Sequence, residues 1–213
     1  MTCRRFPEVT RVFLVRHGET KWNTSRRFQG HRDVPLSPVG ERQAERLALR
    51  LAGESLAAVY TSDLARAVMT ARAIAKPHGL CVVQLKELRE IDVGDWEGMS
   101  LDELHNARRT DVAKWLEDTV NNPIPGGESY ANLRDRVVPK VMELVHAHPD
   151  ASICVVSHAG PVKMILCHAL GMTVDHRHRI DLANASLCMV EYSPGRDPRV
   201  IFMNDTCHLR PSA

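Results

Sequence analysis

The chain has 213 residues, 44% of them hydrophobic and 25% charged, the balance of a soluble globular protein with length enough for one sizeable core. Its formal net charge of +2 is too close to neutral to argue for nucleic acid or an anionic membrane surface as partner. Any cation that holds an anionic ligand must therefore be placed locally.

Taken in order, Val12 to Val15 is an apolar run that reads as a buried strand over 11–16 and runs straight into Arg16, His17 and Gly18. Residues 18–36 carry Gly, Asn, Ser, Asp and Pro with no steady period and read as a long loop. Loops beyond about 12–15 residues are usually functional, and this one is expected to wall a site beside His17. Ser37-Pro38 opens a helix, with Ala44, Leu47, Ala48 and Leu51 inward and Gly53 past its end. Ala57 to Tyr60 is a short strand. Thr61-Ser62-Asp63 then supplies cap residues for a second helix with Leu64, Ala67, Val68, Ala71 and Ile74 inward, and Cys81 to Leu85 is the next strand. Strand and helix alternate through the first 85 residues, which favours a parallel sheet covered on both faces.

Residues 87–99 are irregular and acidic. Ser100-Leu101-Asp102-Glu103 is a capping-box pattern, and a second short helix covers Asp111 to Glu117. The segment from Glu90 to Glu128 reads as a small cap over the sheet. A long helix follows from about Ser129 with Pro139 inside it, where a kink or a later start is expected. Ser152 to Val156 is a strongly buried strand ending in Ser157-His158-Ala159-Gly160, and Pro161 to Leu170 is an apolar helix stopped by Gly171. Ser186 to Tyr192 and Arg199 to Met203 are two final strands able to pair antiparallel. The fold class is α/β, a three-layer α/β/α arrangement with a mostly parallel central sheet, in one domain over 1–213 with the cap at about 90–128.

The six cysteines, Cys3, Cys81, Cys154, Cys167, Cys188 and Cys207, form no CxxC pair. Cys81, Cys154 and Cys188 lie in apolar runs, where a free thiol behaves as a small hydrophobe. With no apolar leader in Met1–Thr10 and no run of membrane-spanning length, a reducing, cytoplasmic location is expected.

Two strands end in histidine, and neighbouring parallel strands would bring His17 and His158 to one edge, where ligands bind in open α/β sheets. Arg66, in the first turn of the helix after the second strand, and Glu90, after the third, belong to that edge. The four suit phosphoryl transfer. Arg16 and Arg66 offer paired donors to phosphate oxygens. They also disfavour an imidazolium, so His17 keeps a lone pair, while its other ring nitrogen should donate to a backbone carbonyl. His17 can then attack phosphorus, and Glu90 can protonate the leaving group and later activate water. The helix start at Ala159 and Gly160 could add backbone N–H groups. Guanidinium and imidazole groups supply the positive charge, so no metal and no cofactor is called for.

The run Leu14-Val15-Arg16-His17-Gly18-Glu19-Thr20 resembles the signature of the histidine phosphatase superfamily, also called the phosphoglycerate mutase-like family. Trp22-Asn23, Arg27-Phe28-Gln29-Gly30, Thr61 to Ala67, Leu88-Arg89-Glu90-Ile91 with Gly94 to Gly98, Pro125 to Ser129 and Ser157-His158 resemble its further motifs in order. The resemblance implies His17 as nucleophile, Glu90 as proton donor, and Arg16, Arg66 and His158 as phosphate clamps. It also implies Asn23, Gln29 and Gly30 as phosphate or substrate contacts. The Gly94-Asp95-Trp96-Glu97-Gly98 form resembles the broad-specificity and α-ribazole phosphatases of that family. Ala159 departs from the Gly that many members carry, which weakens the case for backbone contacts there.

The expected activity is metal-independent hydrolysis of a small phosphate ester through a phosphohistidine. A mutase that returns the phosphoryl group to bound phosphoglycerate is the alternative, and a non-catalytic phospholigand-binding module is the second. Trp96 is expected to pack under the acid loop, and His176-Arg177-His178-Arg179 to be a solvated connection. The remaining Arg residues are expected to coat the surface. A homodimer through the final strands is one arrangement the sequence allows.

Overall fold

The computed structural model describes residues 9–107 and 110–210. Cys3 and most of the Met1–Thr10 segment lie outside them. A six-stranded sheet has the order β3-β2-β4-β1-β5-β6. Its strands are β1 (Thr10–Arg16), β2 (Leu56–Thr61), β3 (Val82–Gln84), β4 (Ser152–Ser157), β5 (Leu187–Tyr192) and β6 (Arg199–Asp205). The first four run parallel, and β5 and β6 are antiparallel additions at one side. The helices are α1 (Lys21–Thr24), α2 (Pro38–Leu51), α3 (Ala65–Ala75), α4 (Leu101–Asn106), α5 (Thr110–Glu117), α6 (Tyr130–Ala147) and α7 (Ala159–Ala169).

Strand alternation sorts these helices into two layers. Phe13 and Val15 on β1, with Cys154 and Val156 on β4, share one core cluster with Leu47 and Leu51 of α2 and Ala67, Ala71 and Ile74 of α3. Val12, Leu14, Ile153 and Val155 point the other way, into a cluster with Leu133 and Val137 of α6 and Ile165 and Leu166 of α7. The same second cluster takes in Trp96, Leu104, Val112 and Ile124 from the 90–128 segment. Two central strands buried on both faces explain their near-continuous apolar sequence.

Several local expectations need correction. The 18–36 segment is not plain loop: Thr20 caps the four-residue α1 in a capping box with Asn23, and isolated bridges join Thr20 to Leu36 and Arg27 to Ser100. The Thr61-Ser62-Asp63 run does not cap α3. The N-cap is Leu64, without a side-chain bond, and Asp33 Oδ1 instead accepts from the Ala65 N–H at 2.7 Å. Ser62 and Asp63 are engaged elsewhere, on His158 and Arg89. Helix α7 begins two residues before Pro161, with His158 at its N-cap. Helix α6 starts at Tyr130 and continues through Pro139, which forgoes one ladder hydrogen bond there. Cys81 is exposed, because β3 is a three-residue edge strand that begins after it. Cys154, Cys167 and Cys188 are buried free thiols. Among the described residues no helix is long and apolar enough to cross a membrane.

Candidate active site

The register Arg16↔Ser157 between β1 and β4 places His17 and His158 side by side at the carboxyl edge of the sheet. The His17 N–H donates to the Ser157 carbonyl at 2.9 Å, and the two rings meet edge to face with centroids 5.0 Å apart. A cleft of about 340 Å³ opens there. Arg16, His17, Asn23, Gln29, Gly30, Arg66, Glu90, Ala159 and Gly160 all line it.

His17 is buried. Its Nδ1 lies 2.6 Å from the Gly18 carbonyl, so Nδ1 carries the proton and Nε2 keeps the lone pair. Burial, with help from Arg66 and Arg16, holds its pKa well below the ordinary histidine range, against a smaller opposing effect of the Gly18 bond. The imidazole is therefore neutral near pH 7. Arg16 donates from Nη1 to the Leu182 carbonyl at 2.5 Å, while its Nε is buried without a hydrogen-bond partner among the described residues. A buried donor beside the nucleophile suits an anionic oxygen, since leaving such a group unpaired is costly. Arg66 is fully buried and donates to the carbonyls of Gly30 and Arg32, both at 2.8 Å. Burial pushes its pKa down to about 10, opposed chiefly by Glu90, so it stays charged.

His158 sits beneath the cleft rather than in its lining. Its Nδ1 accepts from Arg66 Nε at 3.2 Å, so Nε2 donates to Ser62 Oγ at 2.7 Å. Both ring nitrogens are spent on protein groups, and the ring braces Arg66. Its pKa too is held well below the ordinary range, mainly by burial and then by Arg66.

Glu90 reaches the start of α7, where its Oε1 accepts the N–H of Gly160 at 3.0 Å and of Ile91 at 2.9 Å. A carboxylate at a helix N-terminus is favoured by the backbone dipoles. This corrects the expectation that the Gly160 amide is free for phosphate. The side-chain oxygens of Asn23 and Gln29 both face the Thr20 hydroxyl, and Asn184 Nδ2 donates to Asn23 Oδ1 as well. Their amide NH₂ groups are left as donors at the cleft. Gly30 has φ +48°, and a Cβ there would stand 2.6 Å from Val93 Cγ2, so only glycine lets the loop fold over Arg66.

Sequence reasoning missed the groups that hold Glu90 in place. Arg136 on α6 donates to the carbonyls of Glu87, Arg89 and Glu90 and, in a fork, to Glu128. Burial works to raise the Glu128 pKa, but the Arg136 bonds and the Asp92 amide outweigh it and hold it below the usual range. Arg89 meets Asp63 through two bonds of 2.6 Å. Neither pairing has a helical or strand spacing that could have marked it. Lys163, Tyr130 and Trp115 also line the cleft unforeseen. Arg177 is not merely solvated: its guanidinium lies 3.7 Å over the Tyr130 ring. Trp96 packs as expected, edge-on to Trp115 under the acid segment. Among the described residues no group of three His, Cys, Asp or Glu side chains is placed to hold a metal.

The model of the histidine phosphatase superfamily (branch 1) matches residues 12–206. Phosphoserine phosphatase 1 of Hydrogenobacter thermophilus is 34% identical over 201 residues, covering 94% of this chain and 95% of that protein. A probable phosphoglycerate mutase GpmB of Yersinia enterocolitica is 37% identical over 184 residues, 86% of each. Among solved structures, a mutant phosphoserine phosphatase of Entamoeba histolytica in complex with phosphoserine superposes with a TM-score of 0.84 at 29% identity, over 94% of this chain and all of that one. The chain belongs to the histidine phosphatase superfamily and is a phosphoric monoester hydrolase.

Proposed function

We propose that the protein hydrolyses a small phosphorylated metabolite by way of a phosphohistidine on His17, with no metal in the chemistry. The observation that carries this reading is the state of His17. It is a buried neutral imidazole with Nδ1 pinned to the Gly18 carbonyl, beside an Arg16 Nε that no group among the described residues satisfies. The Nε2 lone pair attacks phosphorus, the ester P–O bond breaks, and Glu90 gives its proton to the departing alkoxide. Arg16 and Arg66 stabilise the charge on the phosphoryl oxygens. Asn23 and Gln29 add amide donors. Water then attacks the phosphohistidine and passes a proton to Glu90, and the P–N bond breaks to release inorganic phosphate.

His158 acts through Arg66, whose Nε it accepts. The likeness to phosphoserine phosphatases supports an amino-acid or hydroxy-acid phosphate as the substrate class.

The likeness to the probable mutase favours a second reading, in which the phosphohistidine hands its group to a bound phosphoglycerate. Assaying free phosphate from an ester panel, without added bisphosphoglycerate, separates the two. Rapid-quench labelling with a radioactive ester should give an acid-labile label on His17 that His17→Ala lacks, together with loss of turnover. A wild-type enzyme that turns over without any label, or an active His17→Ala protein, removes the reading.

A further inference from the structure

The cleft contains one positive charge that the phosphoryl chemistry does not use. Lys163 lies on α7 one helical turn beyond Ala159, on the same face, and both line the cleft. It is half-buried, and among the described residues it makes no hydrogen bond and no ion pair. The other cleft cations are engaged. Arg16 holds the Leu182 carbonyl, Arg66 holds the Gly30 and Arg32 carbonyls, and Arg27 is forked onto Glu103.

Burial lowers the Lys163 pKa, with Asp181 the strongest opposing influence. Asp181 is exposed, and among the described residues its carboxylate accepts only from the Leu182 amide. A half-buried ammonium without a partner is unfavourable in the empty protein, and a ligand that brings the missing charge recovers that cost.

We propose that Lys163 is a specificity-determining residue that receives a carboxylate of the substrate, so that the enzyme takes phosphate esters carrying a carboxylate a few bonds from the phosphate. Two arguments select this chemistry. The first is charge. Arg16 and Arg66 match a phosphate dianion, and one ammonium remains for one further negative charge. The second is position. Lys163 lines the same cleft as His17, Arg16 and Arg66, so the ammonium and the phosphate-holding groups face one small ligand. Phe28, Val93, Ile124 and Trp115 line the same cleft and offer apolar surface, and Arg27 beside them is spent on Glu103.

This inference rests on the phosphatase reading only for the placement of the phosphate, and a binding measurement tests it separately. Calorimetry on the His17→Ala protein compares 3-phosphoglycerate with glycerol 3-phosphate, which lacks the carboxylate. The carboxylate ester should bind at least tenfold more tightly. Lys163→Met in the same background should erase most of that ratio, and Lys163→Arg should keep it. Equal affinities in the His17→Ala protein, or a ratio that Lys163→Met leaves untouched, would overturn the assignment. A preserved ratio in a wild-type protein that hydrolyses no ester would instead sink the phosphatase reading and leave the anion site standing. The kcat/KM ratio for the same two esters should fall with Lys163→Met in the otherwise wild-type enzyme.

Discussion

Gly160 and Glu90 are fitted to one another: the Gly160 N–H donates to Glu90 Oε1 at 3.0 Å, and a Cβ on Gly160 would stand 2.3 Å from that same oxygen. The glycine is therefore the seat of the carboxylate. Gly160→Ala should drive Glu90 out of position and lower kcat by about tenfold to a hundredfold, within the range that general acid–base groups contribute. The loss should be larger for alkyl phosphates than for p-nitrophenyl phosphate, whose leaving group needs no proton. Glu90→Gln should give the same leaving-group pattern. Steady-state kinetics on both variants checks this, and an equal loss on both esters would show that Glu90 is not the acid.

Arg136 holds the acid segment from behind. Its guanidinium satisfies three carbonyls, those of Glu87, Arg89 and Glu90, and grips Glu128. Arg136→Met leaves the Glu87 and Arg89 carbonyls without that donor and leaves the Glu90 carbonyl to His31 alone, at a cost of about 2–3 kcal/mol in urea unfolding. It should also reduce kcat for poor leaving groups more than it changes KM. Arg136→Lys keeps the charge without the planar fork and should fall between the two. A variant that loses stability but keeps its leaving-group dependence would limit Arg136 to a structural part.

Stability should fall as the solution is acidified. His17 and His158 have folded-state pKa values well below the unfolded value of about 6.5. As pH drops through 6.5 the unfolded chain takes up protons first, so stability present at neutral pH is progressively lost down to the folded pKa values. Each histidine contributes up to about 1.4 kcal/mol per pH unit in that window. His208, pushed down chiefly by burial, adds in the same direction. Urea midpoints should therefore drop between pH 7 and pH 5, and His17→Ala should drop less steeply. Parallel curves for the two proteins would contradict a neutral His17.

How far the sequence could be read depended on the range of the interaction concerned. Val12 to Val15 and Ile153 to Val156 alternate in sequence between two buried faces, so two central strands and helices on both sides followed from local pattern alone. His17, Arg66 and Glu90 were legible for a related reason. Each sits next to the carboxyl end of a parallel strand, and topology carries strand ends to one edge whatever the side-chain details.

What that pattern left open is who binds whom across the edge. Ser62 and Asp63 have cap-forming side chains, yet they pair with His158 and Arg89, and Asp33 from the preceding loop serves α3 instead. Glu90 and Gly160 are seventy residues apart, as are Arg136 and the acid segment by almost fifty, and no periodicity links them. The chain by itself determined the sheet, its two helical layers and the edge at which the reactive groups gather, because those follow from near-neighbour apolar spacing. Only the tertiary structure decided that His158 braces Arg66, that Gly160 seats Glu90 and that Lys163 stands unpaired, because hydrogen bonds and charges are matched through space, with nothing in the linear spacing to record them.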